Sequence, residues 1–347
     1  MTEPSLPPPS SEERAPTKNL TRKILTGVLV GVVVYGVIVV IGGTQEIGRQ
    51  LRSFTWTAFL AACGLSCVNY ALRFAKWEYY LKVLGVRGIP KWESLLIYLS
   101  GFVLTVTPGK VGEVFKSYVL HKRHLVPVVR TAPIVVAERL TDLIGVIALI
   151  TIGGSSFTGG LVWAGIGASV VLAILLLVAV PRLSSAVLGL LPRLPLVGNA
   201  LGRVVPRVEI ALVSLRGLTK PKHLIVPTML SIVGWSLEGV GIYVILEGFG
   251  ADPSLLQTIF FYGAGTLAGA LVPVPGGLGV TEKVLQESMV RIGGIAHPIA
   301  TAAMLLGRLA TLWFAVAIGF IALGFLKLRP AATAPAEVIP SERLSRA

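Results

Sequence analysis

Long apolar runs separated by short basic stretches dominate the chain. The run from Ile24 to Ile41 contains no charged residue in 18 positions. About 20 apolar residues form a helix that spans the hydrocarbon core of a bilayer, so each such run predicts a transmembrane helix. The pattern predicts six full crossings, at Ile24–Ile41, Phe54–Leu72, Thr131–Ile152, Leu161–Val180, His223–Leu246 and Thr301–Leu326.

Two further apolar segments, 92–107 and 254–272, end at Pro-Gly sequences rather than at charged flanks. A more polar predicted helix follows each of them, at 109–121 and 277–291. Irregular backbone at membrane depth occurs only where protein or a water-filled cavity covers it, so the two breaks predict a cavity. We interpret both segments as re-entrant helices.

The composition agrees with a membrane protein. Hydrophobic residues make up 54% of the chain and charged residues 14%, and the mean hydropathy is +0.79, unlike an ordinary soluble domain. We therefore predict one all-α transmembrane domain over residues 21–328. The tails 1–20 and 329–347 are predicted to be disordered because they have little apolar surface to bury. The longest loop, Pro181–Lys222, is too short for a second folded domain, and its amphipathic part is expected to lie along the membrane interface.

The net charge of +14 reflects where the basic residues lie. Of the 31 lysines and arginines, 25 fall before Ile24 or within 73–91, 110–130, 181–222 and 327–347. Cytoplasmic loops of membrane proteins are rich in Lys and Arg, so this distribution predicts a multi-pass protein of the cytoplasmic (inner) membrane with both termini inside. The basicity requires no nucleic-acid partner.

An internal repeat relates the two breaks. Residues 108–113 read PGKVGE and residues 275–282 read PGGLGVTE. Glu113 precedes Arg139 by 26 positions and Glu282 precedes Arg308 by 26, and each arginine begins an Arg-Leu-x-x-Leu sequence. Three predicted crossings separate the two copies, which would invert the second. Inverted repeats with broken helices are the architecture of many secondary transporters, so we predict repeat cores at 92–152 and 254–326.

The candidate functional residues are the charged residues inside the apolar helices. Arg139, with Glu138 and Asp142, lies in a predicted crossing, where a central charge costs about 2.5 to 3.5 kcal/mol. One interpretation is a structural ion-pair cluster of Glu113 with these three residues. The other is that Arg139 and Arg308 face a shared cavity and bind an anionic headgroup, since guanidinium binds phosphate in a bidentate fork.

The remaining charged candidates have several possible roles. Lys110 either extends to the cytoplasmic interface or contacts a phosphate, Glu113 and Glu282 are counter-ions or proton carriers, and Glu238 is a further acidic candidate. Glycines permit sharp backbone turns because they lack Cβ. The predicted substrate-binding residues are Lys110, Glu113, Glu138, Arg139, Asp142, Glu282 and Arg308, and the predicted turn residues are Pro108, Gly109, Gly112, Pro275, Gly276, Gly277 and Gly279.

The sequence predicts neither a metal site nor a cofactor. His121 and His124 lack acidic or cysteine partners, and Cys63 and Cys67 are interpreted as small apolar filler within a crossing. The chain contains no nucleophile elbow, Walker loop or H-E-x-x-H sequence, which disfavours an ATP-driven pump.

Three features of the sequence point to one known family. They are residues 107–113, the pair Glu138-Arg139 with Asp142, and residues 275–280 with Glu282. In these features the chain resembles the lysylphosphatidylglycerol synthase transmembrane-region family. This family is also called the flippase-like domain family, and the similarity covers roughly residues 20–326. The resemblance implies a lipid flippase or a lipid-linked export role, with members tied to lysyl-phosphatidylglycerol, polyprenyl-phosphate-linked sugars or hopanoids. This chain lacks the soluble aminoacyltransferase domain of the full synthase, so it is not expected to make aminoacylated lipid itself. A lipid-modifying enzyme is a candidate partner.

Three functions are therefore compared. The first is translocation of an amphipathic lipid, anionic or of the polyprenyl-phosphate type, across the cytoplasmic membrane by alternating access. The second is an intramembrane enzyme that uses Glu113, Glu138 or Asp142 as acid or base on a lipid phosphate. The third is a structural or partner subunit of the membrane. The sequence favours the first, with membrane lipids as both substrate and solvent and no enzymatic activity.

Overall fold

The computed structural model shows a mostly α-helical protein. It describes residues 44–106, 114–156, 220–272 and 274–328, together with isolated positions between 33 and 40, between 159 and 218, and at 337–338. A single antiparallel strand pair in the described part of the chain joins β1 (Val86–Arg87) to β2 (Glu337–Val338). The helices are α1 Thr44–Ser53, α2 Trp56–Val83, α3 Lys91–Ser100, α4 Phe115–His124, α5 Val128–Gly154, α6 Pro221–Gly248, α7 Leu255–Leu271, α8 Val280–Arg291, α9 His297–Arg308 and α10 Phe314–Leu328.

Three helical segments among the described residues are long and apolar enough to cross a membrane. They are Trp56–Val83, Lys222–Gly248 and the continuous run His297–Leu328, in which a π-helical turn joins α9 to α10. At 1.5 Å per residue, each exceeds the roughly 30 Å of a hydrocarbon core. Helix α5 has 27 residues and is equally long, but it carries four charged side chains.

The predicted crossings 131–152, 223–246 and 301–326 fall within α5, α6 and the α9–α10 run. The crossing predicted at Phe54–Leu72 was too short, because α2 continues to Val83. The predicted crossings 24–41 and 161–180 lie outside the described residues apart from isolated positions. So do the amphipathic part of the long loop and most of both tails.

The extension of α2 corrects the sequence-based interpretation of residues 73–91 as a cytoplasmic loop. Arg73 and Lys76 lie on the buried face of α2, and Lys76 is only 1% exposed. Their charges end an apolar run in the sequence but do not end the helix, because both side chains find a carboxylate on α5.

The two segments predicted to be re-entrant are short helices. The first is α3, extended by a 3₁₀ turn at Gly101–Leu104, and the second is α7 with 17 residues. Helix α7 packs along α8, the polar helix predicted at 277–291, and a 3₁₀ turn at Pro275–Gly277 lies in the connection between them. In the first copy the connection 107–113 lies outside the described residues, and the described part of the polar helix predicted at 109–121 is α4, Phe115–His124.

The helix boundaries follow the sequence repeat. Arg139 and Arg308 are 169 positions apart, and so are Val128 and His297, the first residues of α5 and α9. The copies differ after the arginine, because α5 continues without interruption whereas α9 runs into the π-helical turn Leu309–Trp313.

The buried apolar residues form two main clusters. One lies among α2, α5, α6, α7, α8 and α9 and includes Phe260, Phe261 and Met289. The other lies among α2, α3, α4, α5 and α10 and includes Trp77 and Ile97. Helices α2 and α6 pack closely over much of their length, and α5 contacts both α6 and α7. This packing places the polar faces of α2, α5, α6 and α9 around a common space.

Candidate functional site

The second break brings the backbone into a tight turn that only glycine accommodates well. Gly276, Gly277 and Gly279 have φ angles of 61°, 69° and 84°, in the left-handed region where a Cβ is unfavourable. Helix α7 approaches this turn closely through Gly269, where an added Cβ would lie 2.0 Å from Thr281 Oγ1. The predicted turn residues of the second repeat therefore form the turn, with Pro275 at its start.

The turn positions Glu282 at the start of α8, where its side chain accepts a hydrogen bond from the Gly279 backbone N–H at 2.7 Å. The other carboxylate oxygen accepts from Arg308 Nε at 2.6 Å and from the Tyr35 hydroxyl at 3.0 Å. Arg308 Nη2 also donates to the Gly276 carbonyl oxygen at 3.2 Å. Arg308 is thus anchored to both the turn and the helix that follows it.

On α5, Asp142 is the centre of a second charged group. Lys76 Nζ donates to its Oδ1 at 2.5 Å, and the nearest guanidinium nitrogens of Arg73 and Arg139 lie 3.7 and 3.9 Å from its Oδ2. Lys76 also donates to Thr141 and Ser231 hydroxyls. One carboxylate therefore lies near three cations, and 25% of the Arg139 side chain remains exposed.

Glu138 belongs to a separate pair. Its carboxylate accepts a hydrogen bond from Lys116 of α4, whose ammonium also lies over the rings of Trp77 and Tyr98, 4.7 and 5.2 Å from their centroids. Glu138 therefore pairs with a lysine of α4, while Arg139 lies near Asp142; Glu113, the remaining member of the predicted ion-pair cluster, lies outside the described residues.

Glu238 of α6 is buried and is held by neutral groups of α2. Asn69 Nδ2 donates to Oε1 at 2.6 Å, and the Ser66 hydroxyl donates to Oε2 at 3.0 Å. Among the described residues, no lysine or arginine nitrogen lies within 4.0 Å of this carboxylate.

These groups surround a cavity of about 70 Å³, here called the inner chamber. Arg73, Arg139 and Arg308 all line it, as does Glu238. The Arg73 guanidinium is held between the rings of Phe102 and Trp235, 5.9 and 5.7 Å from their centroids. Arg139 and Arg308, which occupy equivalent positions of the two repeats, therefore face one cavity.

A larger cavity of about 310 Å³, here called the outer chamber, adjoins the first. Five residues line both chambers, including Arg139 and Trp235. The outer chamber is otherwise mostly apolar and extends to the exposed end of α7, where Leu271 and Val272 are 48% and 39% exposed. Its further apolar lining comprises Leu143, Val146, Leu267, Ala270 and Val274.

Cations outnumber anions among the charged groups described around the inner chamber. The three arginines and Lys76 lie near three carboxylates of the described part of the chain. The carboxylates are Asp142, Glu238 and Glu282.

Five of the predicted site residues lie outside the described residues. They are Lys110, Glu113, Pro108, Gly109 and Gly112 of the first break. The contacts described above therefore come from the second break and from the helices.

Sequence reasoning missed several members of the site. Arg73 and Lys76 were assigned to a loop by their charge, Lys116 was placed in the predicted helix 109–121 without a role, and Ser66 and Asn69 were not considered. A detectable signal exists, because 66, 69, 73 and 76 recur at intervals of three and four and so share one helix face. No group of three or more His, Cys, Asp or Glu suited to a metal ion occurs in the described part of the chain. His124 instead contacts Glu93, with its Nε2 3.4 Å from the carboxylate.

The family model described as the lysylphosphatidylglycerol synthase TM region matches residues 25–319, most of the chain. The chain belongs to this family. The match confirms the resemblance carried by the Pro-Gly sequences and the charged helix. Membership and the apolar helices together make the chain a helical membrane protein.

Similar members of the family occur in other organisms. A UPF0104 membrane protein of Methanothermobacter thermautotrophicus is 27% identical over 319 residues, which cover 85% of this chain and 93% of that protein. A UPF0104 membrane protein of Methanocaldococcus jannaschii is 26% identical over 227 residues, covering 63% of this chain and 92% of the relative. A third, from Pyrococcus horikoshii, is 29% identical over 105 residues, about a third of each chain.

Proposed function

We propose that this protein translocates an amphipathic lipid with an anionic headgroup across the cytoplasmic membrane, crossing it several times and working by alternating access. The substrate class is an anionic phospholipid or a polyprenyl-phosphate-type lipid. The family name supports a function connected with membrane lipids.

The observation that carries the proposal is the convergence of Arg139 and Arg308 on the inner chamber. Equivalent positions of the two repeats supply the two guanidinium groups, and Arg73 adds a third. Guanidinium groups bind phosphate oxygens in pairs of parallel hydrogen bonds. A phosphate headgroup in this chamber would meet a cation from each repeat.

The outer chamber supports an amphipathic substrate rather than a free anion. Its volume of about 310 Å³ lies within the usual range for small-molecule sites, and its lining is mostly apolar. Arg139 lines both chambers, so a lipid could place its headgroup against the arginines while an acyl or prenyl chain occupies the outer chamber. The exposed Leu271 and Val272 mark a lateral path towards the surrounding lipid.

The two-repeat arrangement favours transport over the structural alternative. Arg308 is anchored by Glu282 and the Gly276 carbonyl, whereas Arg139 lies 3.9 Å from Asp142 and keeps a quarter of its side chain exposed. The two arginine side chains therefore differ in exposure in this conformation, 25% for Arg139 against 7% for Arg308. Under alternating access, each arginine would be the more exposed one in one of the two states.

The intramembrane-enzyme alternative receives less support from the geometry. A general acid or base must reach the substrate. Glu138 is paired with Lys116 and lines neither chamber described above, and Asp142 is engaged by Lys76 and near two arginines.

Leaflet exchange in proteoliposomes tests the proposal. The purified protein is reconstituted with NBD-labelled phosphatidylglycerol, and dithionite measures how fast the label moves between leaflets. We expect faster exchange than in protein-free liposomes, without chemical change of the lipid. Altered lipid would support the enzyme instead, and neither exchange nor alteration would support a partner subunit.

Variants at the arginines assign the site. Arg139→Gln and Arg308→Gln each remove a charged hydrogen-bond donor worth about 1.5 to 3 kcal/mol, so exchange at limiting lipid, measured per correctly folded protein, should fall roughly tenfold to a hundredfold. Arg291→Gln is the matched control, because this arginine is exposed and contacts only Glu287 among the described residues. An equal loss in the control, or no loss at 139 and 308, would contradict the assignment.

A further inference from the structure

We propose that Glu238 is a proton-binding site through which lipid translocation is coupled to a transmembrane proton gradient. This inference rests on the proposed function and adds a second ligand, the proton, and an energy source. Glu238 lines the inner chamber and is 3% exposed.

The carboxylates near the chambers differ in the partners that hold them. Glu282 accepts from Arg308, and Asp142 and Glu138 accept from lysines. Lysine and arginine are donors only, so they stabilise these three groups as anions. Glu238 has no such partner within 4.0 Å among the described residues. A buried carboxylate without a paired cation is costly, and protonation removes that cost.

The partners of Glu238 suit both of its protonation states. The Ser66 hydroxyl donates to the carboxylate and can rotate to accept from a carboxylic acid. The Asn69 side chain presents its amide N–H to Glu238, while its carbonyl oxygen is buried without a hydrogen-bond partner. Turning that amide over would present the carbonyl oxygen to a protonated Glu238. The same two residues can therefore hold the group with and without its proton.

Charged and titratable groups from every neighbouring helix face the same chamber as Glu238. They make its charge sensitive to what the chamber contains. From α2 these are Tyr70 and Arg73, with Cys67 nearby; from α5, Arg139; from α7, Tyr262; and from α9, Arg308.

The coupling follows from the charge of the lipid. When the chamber is empty, Arg73 and Arg308 offset part of the cost of ionising Glu238. A bound phosphate monoanion takes over those arginines and repels a second negative charge, so Glu238 takes up one proton as the lipid enters. The proton leaves Glu238 when the lipid departs on the other side. One proton and one lipid anion cross together, no net charge moves, and no other bond forms or breaks.

An imposed pH gradient tests this directly. Proteoliposomes with NBD-labelled phosphatidylglycerol receive a difference of one pH unit, with the membrane potential held at zero by valinomycin and equal potassium on both sides. A coupling of one proton per lipid should shift the final leaflet ratio of the labelled lipid up to about tenfold towards the alkaline side. The final ratio, unlike the rate, does not depend on how fast a variant works.

Glu238→Gln should abolish the response to the gradient, because Gln keeps the size of Glu but binds no proton. Glu238→Asp should restore part of it. Glu287→Gln is the matched control, since Glu287 pairs with Lys283 and Arg291 at the surface, away from both chambers. The coupling would be overturned if the final leaflet ratio of the wild-type protein did not respond to the gradient, or if Glu238→Gln gave the same leaflet ratio as wild type.

Proton uptake provides a measurement that needs no variant. Adding short-chain phosphatidylglycerol to the wild-type protein in weakly buffered detergent solution should take up about one proton per lipid bound, as reported by a pH dye. Binding without uptake would refute the proton site.

If wild-type protein moves no lipid even without a gradient, the proposed function fails and the coupling fails with it. Exchange that is indifferent to the gradient removes the coupling alone.

Discussion

Arg308 and Glu282 lie 26 positions apart in the sequence, and their side chains meet at 2.6 Å between Nε and Oε1. Both are almost fully buried, with side chains 7% and 1% exposed. Their contact joins the helix after the second break to the long apolar helix that follows it. Glu113 and Arg139 have the same 26-position spacing in the first repeat.

Removing one partner of this pair should be strongly destabilising, because the other charge stays buried without a counter-ion. Arg308→Gln should lower the unfolding free energy by about 3 to 5 kcal/mol. Adding Glu282→Gln should recover part of that loss, since Gln can still accept from the Gly279 N–H. Thermal or denaturant unfolding in detergent, analysed as a double-mutant cycle, measures the coupling.

The exposed pair Lys283–Glu287 is the control for that cycle. Substituting either residue by Gln should change stability by less than about 1 kcal/mol, as surface ion pairs do. Additive effects of the Arg308 and Glu282 substitutions would contradict the assignment of this contact as the stabilising one.

The close approach of α7 to the turn predicts a steric effect. Gly269→Ala would place a Cβ 2.0 Å from Thr281 Oγ1, so we expect a loss of about 1 to 3 kcal/mol, typical of overpacking. Thr281→Ala in the same chain should relieve the clash and restore most of the stability. Gly64→Ala on α2 is the matched control, because a Cβ there meets no atom within 4 Å. Equal melting temperatures for Gly269→Ala and Gly64→Ala would rule out the clash.

The repeat predicts that the two breaks enter the membrane from opposite faces. Single cysteines at Lys122 and Arg291, both exposed, should be labelled by an impermeant thiol reagent from the inside and from the outside respectively. Cys63 and Cys67 are replaced first, because both carry free thiols that are at least partly exposed. Labelling of both positions from one face would contradict the inverted repeat.

Lipid binding should stabilise the folded protein. Phosphatidylglycerol or polyprenyl phosphate at a hundredfold excess over its dissociation constant would add about 2.7 kcal/mol and raise the melting temperature. Zwitterionic phosphatidylcholine should have little effect, and Arg139→Gln should weaken the response to the anionic lipids. An identical response to every lipid would leave the arginines without a role in headgroup recognition.

The sequence predicted some parts of this structure better than others for physical reasons. Apolar runs and Pro-Gly breaks located α5, α6, α7 and the α9–α10 run, because burial in lipid and backbone geometry act locally. The repeat pointed to Arg139 and Arg308, since both retain a sequence context. The sequence could not predict which ionic partner each charged residue has. Whether Asp142 pairs with Lys76 depends on how α2 packs against α5, which no local pattern encodes.

The charged face of α2 also bears on how the protein enters the membrane. The chain is made from its N-terminus, so Arg73 and Lys76 are inserted before Asp142 of α5 has been synthesised. Lys76 lies seven residues before the end of α2 at Val83, about 11 Å along the helix, and a long basic side chain can reach the interface over part of that distance. We therefore expect helix α2 to stay near the membrane interface until α5 supplies the carboxylate. On this basis we expect the Lys76–Asp142 contact to matter for membrane insertion as well as for the finished fold.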